Sequence, residues 1–479
     1  MIKTLLLILY FISTLFSTYY IVIVNTYGVS LVDIACLAIL FYSCYRLVWL
    51  GKPFYMPTFP MLIWLLCLSI AVCFSAIVPL LSGDSEMQVQ WIKTTLHFFY
   101  VVISGISFLG CNFSIKNLHD GYKLSVYVSI LVSTFGIYQI FARAFDLPFA
   151  WITMSTNASM ARGMDFGDWG QLSLSFGSFF RATSFFSEPS SLAGYTTSML
   201  ALLIFPYLKG YRNIVGNKVA WIVALMANSI ALLLTFSLTG LLIAAIFLLT
   251  YFISEKKISI RNTVFFFLFT PALLLLADSI VEYYTDTSVL GLFGQRVGGI
   301  FSVIFGGTIK TTGGESFFGR ADTIFRGFEM WLQYPITGYG LGCTYLYDRI
   351  NVVTYIDSTF SSVLAETGSL GGVFFIALFV SMFRYVFITI RKDKHFESGS
   401  VYVKQLLAVV PYFFVLQVAI LNTTMLFTTF GIYQTFALIA AISIAASREC
   451  NIPVKKYYIL KKPIVQRIIE RKNYLLKQV

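Results

Sequence analysis

Arg181 and Glu188 stand seven residues apart in Arg181-Ala-Thr-Ser-Phe-Phe-Ser-Glu188-Pro189, just ahead of an apolar run of helix length. Ionisable groups at the mouth of a membrane helix are costly, which makes them functional candidates. The planar donor fork of an arginine matches phosphate or carboxylate, and a glutamate can take a proton from a hydroxyl. A second explanation fits Glu188 alone. With Pro189 in the first helical position, the glutamate falls at or near the N-cap, where it complements the helix dipole.

Three further groups have similar chemistry. Arg320, Asp322, Arg326 and Glu329 lie on one predicted helix. Asp322 and Arg326 are spaced to pair along its face, so Arg326 reads as the more structural arginine. Arg320, near the helix start, reads as an anion site. Asp357 and Glu366 flank the start of a later apolar run, where they either face one cavity or serve as a helix cap and a hydrogen-bonded helix residue. Ser237, in Thr235-Phe-Ser237-Leu-Thr239-Gly240, either presents a hydroxyl to a ligand or completes a tight polar turn. No Cys/His cluster has metal-ligand spacing, and the seven cysteines are scattered. Cys343 alone is expected outside, which leaves no partner for an external disulfide within one chain.

The elements that position these residues follow from composition. The chain is 58% hydrophobic and 12% charged, with a mean hydropathy of +0.79. A soluble protein of 479 residues could not hide that apolar surface. Repeated apolar runs of about 20 residues are long enough to cross a bilayer as helices. The sequence predicts an all-α, polytopic membrane protein with about twelve spans, near 4–24, 29–50, 59–80, 92–110, 122–142, 189–209, 219–235, 238–254, 262–280, 362–390, 403–421 and 430–446.

Charge sets the expected orientation. With a cytoplasmic N-terminus, 25 of the 34 lysines and arginines fall in inside loops and tails. The positive-inside rule therefore places both termini in the cytoplasm. The net charge of +12 reflects topology, and nucleic acid is not an expected partner. Seven of the nine basic residues left outside are arginines: Arg143, Arg162, Arg181, Arg296, Arg320, Arg326 and Arg349. They suit either phosphate recognition or helix-end snorkelling.

Within a transmembrane domain of 1–447, two outside loops are long, near 143–188 and 281–361. In the second, Ala321, Ile324, Phe325, Phe328, Trp331 and Leu332 recur at helical spacing and predict an amphipathic helix over 318–333. Pro335 and Gly338 end it, and Tyr339-Gly-Leu-Gly342 follows as a turn. Residues 289–305 read as a short interfacial or re-entrant segment. The tail 448–479 carries nine basic residues against Glu449 and Glu470 and predicts a cytoplasmic amphipathic helix held by anionic lipid.

The order of these parts resembles the O-antigen polymerase and ligase superfamily. The resemblance is carried by Arg181 through Pro189 before a span, Ser237-Leu-Thr-Gly240, Gly319-Arg320 leading to Trp331-Leu-Gln-Tyr-Pro335-Ile-Thr-Gly338-Tyr-Gly-Leu-Gly342, and Glu366-Thr-Gly368-Ser-Leu-Gly371. A ligase-like pattern has His-Asn about nine residues before Glu-Thr-Gly. This chain has Asp357-Ser358 there and no histidine in the expected outside loops. It therefore resembles the polymerase (Wzy) family more than the ligases.

The resemblance implies a GT-C-like, metal- and cofactor-independent inverting glycosyltransferase in the bacterial inner membrane. Its donor and acceptor would be oligosaccharide repeat units on undecaprenyl diphosphate, joined on the periplasmic side, with a chain-length regulator protein as a further partner. Arg181, Arg320 and Arg296, with Arg326 beside them, would bind diphosphate. Glu188 would be the base, Asp357 or Glu366 its fallback, and Tyr339 a sugar platform. The other functions weighed are ligation to lipid A core and passage of lipid-linked glycan without chemistry.

Overall fold

In hydrocarbon a chain must satisfy its backbone internally, which leaves helices as the means for apolar runs of this length to cross. The computed structural model describes residues 2–17, 19–24, 27–56, 59–154, 171, 175–176, 179–211, 213–237, 240, 315–346, 356, 358–390, 399–421, 430–452, 454 and 456–457, with single residues between 272 and 294. Six helical stretches among them are long and apolar enough to cross a membrane: Leu31–Trp49, Met61–Ser82, Ser85–Gly110, Ile115–Ala144, Pro189–Leu208 and Thr359–Phe387. Ile2–Leu15, Lys218–Leu234 and Val401–Leu416 are shorter apolar helices. The protein is an all-α, multi-pass membrane protein. The runs expected at 238–254 and 262–280, the segment 289–305 and the tail helix lie largely or wholly outside the described residues.

Among the described residues the α-helices are, in chain order, α1 (Ile2–Leu15), α2 (Leu31–Cys44), α3 (Phe59–Phe74), α4 (Ile77–Ser82), α5 (Ser85–Gly110), α6 (Ile115–Ala144), α7 (Pro189–Leu208), α8 (Lys218–Leu234), α9 (Glu315–Gln333), α10 (Thr359–Arg384), α11 (Val401–Leu421) and α12 (Phe430–Glu449). α2 and α10 end in π-helical turns, Tyr45–Trp49 and Tyr385–Ile390. α10 packs along α3 and α9, α6 along α1 and α8, α5 along α2 and α12, and α7 along α8 and α11.

The first expected span is not one helix. α1 stops at Leu15, and β1 (Tyr20–Val24) pairs antiparallel with β2 (Tyr27–Ser30). The β-branched run Ile21-Val-Ile-Val24 suits a strand. Gly28 lets it close on Tyr20, since a Cβ there would lie 2.3 Å from the ring. Ser30 and Asp33 then form a capping box that starts α2. α5 and α6 begin seven residues earlier than expected, so Lys116 and His119 lie in a helix rather than a loop, and Lys93 and Lys123 lie two turns inside theirs rather than at the start. His119 is buried, with Nε2 2.9 Å from Gln405 Oε1 on α11.

Some polar groups inside the helices pair across them. Asn228 on α8 donates to Ser129 Oγ on α6 at 2.9 Å and accepts from Ser133 Oγ at 3.2 Å. Such bonds hold membrane helices together where hydrophobicity gives no preference between protein and lipid. The end of α5 and residues 111–114, which join it to α6, gather three distant cations. Lys3 Nζ donates to the Asn112 carbonyl at 2.7 Å, Arg46 Nε to the Gly110 carbonyl at 2.5 Å, and Arg448 to the Asn112 side chain.

If α5 and α6 both cross the bilayer, this short connector lies on one side, and Ser85 and Ala144 on the other. In a cysteine-free background, Ser85→Cys and Ser114→Cys, both exposed, are expected to react with an impermeant maleimide from opposite faces. Labelling of both from one face would show that α5 does not span.

Candidate functional site

The first cluster lies where α6 ends and α7 begins. Arg143, in the last turn of α6, is 6% exposed and directs its fork at four oxygens. Nε donates to Ala150 O at 2.9 Å, Nη1 to Arg181 O at 2.6 Å, and Nη2 to Gln171 Oε1 at 2.9 Å and Thr183 Oγ1 at 2.7 Å. Its face lies 4.1 Å from the Trp151 ring centroid, a favourable cation–π placement. Gln171 donates in turn to Ser184 O and Phe186 O, and Thr183 Oγ1 donates to Gln139 Oε1. Ser184 Oγ donates to Val132 O at 2.6 Å. This network fixes the backbone of residues 181–186, and with it the point where the half-buried Arg181 side chain leaves the chain.

Glu188 occupies the N-cap of α7, with extended backbone and Pro189 next, but its carboxylate caps no backbone N–H. It accepts instead from Ser190 Oγ at 3.1 Å and is half-buried. Side-chain capping therefore does not account for this glutamate. Ala182 N–H donates to Leu234 O at 2.9 Å, which brings the turn after α8 against the same segment. In that turn Ser237 is 6% exposed and its Oγ accepts from Gly240 N–H at 3.2 Å, an arrangement that favours the tight polar turn over ligand contact. Gly240 packs on α7, where a Cβ would come 2.6 Å from that of Ala193.

The second cluster is built around a break in α10. Gly368 takes φ 65°, ψ −168° inside the helix. The segment after α9 docks on that break. Tyr339 N–H donates to Ala365 O at 2.8 Å, Gly340 N–H to Glu366 O at 3.1 Å, and Ser369 N–H to Pro335 O at 2.8 Å. Trp331 Nε1 reaches Ser369 Oγ at 3.0 Å. The approach is too close for side chains: a Cβ on Gly338 would lie 2.4 Å from the Glu366 carbonyl carbon, and one on Gly368 2.2 Å from Ile336 O.

Glu366 is fully buried beneath this segment, and Thr344 Oγ1 donates to its Oε1 at 3.3 Å. The same segment rests on α5, where Cys343 Sγ lies 3.5 Å from Met87 O. Cys343 is buried rather than facing an aqueous loop. Burial, then the carboxylates of Glu366 and Asp84, push its thiol up to about 12, so it stays protonated at neutral pH.

Tyr339 is half-buried and tilted against Tyr334, with ring centroids 5.6 Å apart. Arg326 is half-buried on α9, and Arg320 lies on the same helix, which packs along α10. The side chains of Arg320 and Asp322, and all of Arg296 and Asp357, lie outside the described residues. Arg181 and Glu188 thus share one cluster with Ser237, while Glu366 and Tyr339 share the other. Sequence reasoning did not single out Gln139, Arg143, Gln171 or Thr183. A readable signal was the small and polar stripe Ser125, Ser129, Ser133, Gly136, Gln139 and Arg143 at helical spacing along an apolar run. Among the described residues no group of His, Cys, Asp or Glu could hold a metal ion.

No protein-family model matches the chain, and no curated protein sequence matches it.

Arg143→Lys keeps the charge but loses the fork. It is expected to destabilise the protein by about 2–3 kcal/mol, read as a lower unfolding midpoint in detergent. Gly338→Ala and Gly368→Ala each force a left-handed backbone on an L-residue, costing about 1–2 kcal/mol before the steric clash. Both are expected to give less folded protein, whereas Ser369→Ala, which removes only a hydroxyl, is expected to be milder. Cys343 is expected to resist maleimide until the protein is unfolded.

Proposed function

We propose that the chain is an inner-membrane glycosyltransferase that polymerises undecaprenyl-diphosphate-linked oligosaccharide repeat units on the periplasmic side. In this reading the chain has about twelve spans in a GT-C-like arrangement, with both termini cytoplasmic and the end of α5 at Ser85 periplasmic. The observation that carries the proposal is the docking of Trp331–Gly342 on Glu366–Gly371. Two segments of the resemblance, separate in sequence, form one unit at the loop-bearing end of α10. Continuity of α5 and α6 supports placing both clusters on one side of the membrane, since Met87 lies at the free end of α5 and Arg143 at the free end of α6.

The chemistry follows from the groups assigned. The acceptor hydroxyl gives its proton to Glu188 as its oxygen bonds to the anomeric carbon of the donor. The bond from that carbon to the lipid diphosphate breaks, with inversion. Fixed cations stabilise the departing diphosphate strongly in a site of low dielectric. Arg181 and Arg320 fill that role, with Arg296 and Arg326 as further anion contacts. Glu188 is favoured over Glu366 as base because its carboxylate is partly exposed, whereas Glu366 is sealed under the docked segment. Glu366 and Tyr339 then shape the site from below. Asp357 stays the fallback base, and a chain-length regulator protein a further partner.

The deciding experiment supplies purified protein with lipid-linked repeat units and no metal. A ladder of products is expected, and its absence under any condition would sink the proposal. Glu188→Gln is expected to slow the reaction by about 10²–10⁴-fold. Arg181→Lys is expected to lose on the order of 10²-fold. Full activity in either variant would remove that residue from its assigned role.

A further inference from the structure

Away from both clusters, three cations converge, among the described residues without a counter-ion. Lys3, Arg46 and Arg448 come from α1, the turn ending α2, and α12, and meet the end of α5 or the connector that follows it. Arg46 is 6% exposed and bonded to the Gly110 and Pro53 carbonyls, at 2.5 and 2.6 Å. Arg448 lies over the Tyr55 ring, 4.5 Å from its centroid. Tyr55 pairs across β3 (Phe54–Tyr55) and β6 (Lys456–Tyr457) with the exposed Lys456. The oxygens that meet these cations are carbonyls and an amide, which orient positive charge without cancelling it. Among the described residues no carboxylate stands within ion-pairing distance of the three. The nearest in sequence, Glu449, accepts instead from Ser400 N–H at 3.3 Å.

The donors are only partly used. An ammonium has three N–H groups and a guanidinium five. Lys3 uses one on Asn112, and the exposed Arg448 uses one on the same residue. The site also lies where the apolar helices α2 and α5 end. Tyr45 and Trp49, on the turn that carries Arg46, are 51% and 45% exposed, the placement of aromatic anchors at headgroup level. Phe41, one turn deeper, is 71% exposed and offers an acyl chain apolar surface.

We propose that Lys3, Arg46 and Arg448 form a binding site for the phosphate of an anionic lipid headgroup, with its acyl chains running along α2. A lipid, rather than free phosphate, fits because the cations and the exposed aromatic face are continuous. The site is separate from the proposed chemistry, and its occupation would tie α1, α2 and α12 to one leaflet.

The test uses the full chain in a neutral detergent, with binding of phosphatidylglycerol or phosphatidylcholine followed by native mass spectrometry. Phosphatidylglycerol is expected to bind more tightly. Lys3→Gln with Arg448→Gln is expected to weaken it about thirtyfold, whereas Lys209→Gln with Lys218→Gln, an equal loss of charge elsewhere, leaves it within about twofold. Should the double variant fail to fold, Arg448→Gln alone changes an exposed side chain and is expected to cost about fivefold. Equal binding of the two lipids, unchanged binding in the Arg448 variant, or displacement of phosphatidylglycerol by millimolar inorganic phosphate would overturn the proposal.

Discussion

α10 turns aside at Gly368, and the backbone groups released there must find partners that lipid cannot supply. The segment 335–342 supplies them, accepting at Pro335 and donating at Tyr339 and Gly340. The rest of this region depends on that exchange. It fixes the end of α9, brings Cys343 against α5, and closes a lid of backbone over Glu366. A buried carboxyl beneath glycines is tolerable because Thr344 and the docked segment give it a polar surround that an unbroken helix would not.

The first cluster solves a different problem with a different residue. Among the described residues Arg143 has no carboxylate partner; its charge is met by dipoles, two acceptors from Ala150 and Gln171 and two from the 181–186 segment. A cation held this way acts as a clasp. It ties residues 150, 171, 181 and 183 to the end of α6, so that Arg181 and Glu188 emerge at fixed points. Both clusters therefore use main-chain carbonyls and amides for positioning and leave the ionisable side chains of 181 and 188 at the partly open edge.

Much of this was legible in the residues. The amphipathic helix read over 318–333 is α9, three residues longer at its start, and Gly338, Gly340 and Gly342 all take the positive φ that a turn of glycines suggests. Pro189 did mark the first position of α7. Hydropathy misread residues 20–30, because an Ile-Val-Ile-Val run is as apolar in a strand as in a helix and only the pairing with Gly28 separates them. The role of Arg143 was not legible, since its acceptors come from residues 150, 171, 181 and 183 and converge only on folding. For Glu188 the position was legible but the absence of a capping bond was not, because a rotamer decides it. Arg296 and Asp357 fall outside the described residues, so their sequence reading stands alone.

Another pairing bears on how such a chain is assembled. Tyr10 on α1 donates to Gln434 Oε1 on α12 at 2.6 Å, across 424 residues of sequence, and Gln434 lies 2.9 Å from Cys36 Sγ on α2. During synthesis α1 enters the bilayer long before α12 exists. Its tyrosine hydroxyl must wait in a provisional setting, shielded by water, lipid headgroups or an insertion factor. The bundle is thus completed from a contact between early and late helices, and any pause or truncation in translation ahead of α12 leaves a polar group stranded in the membrane, a mark by which unfinished chains can be told from finished ones.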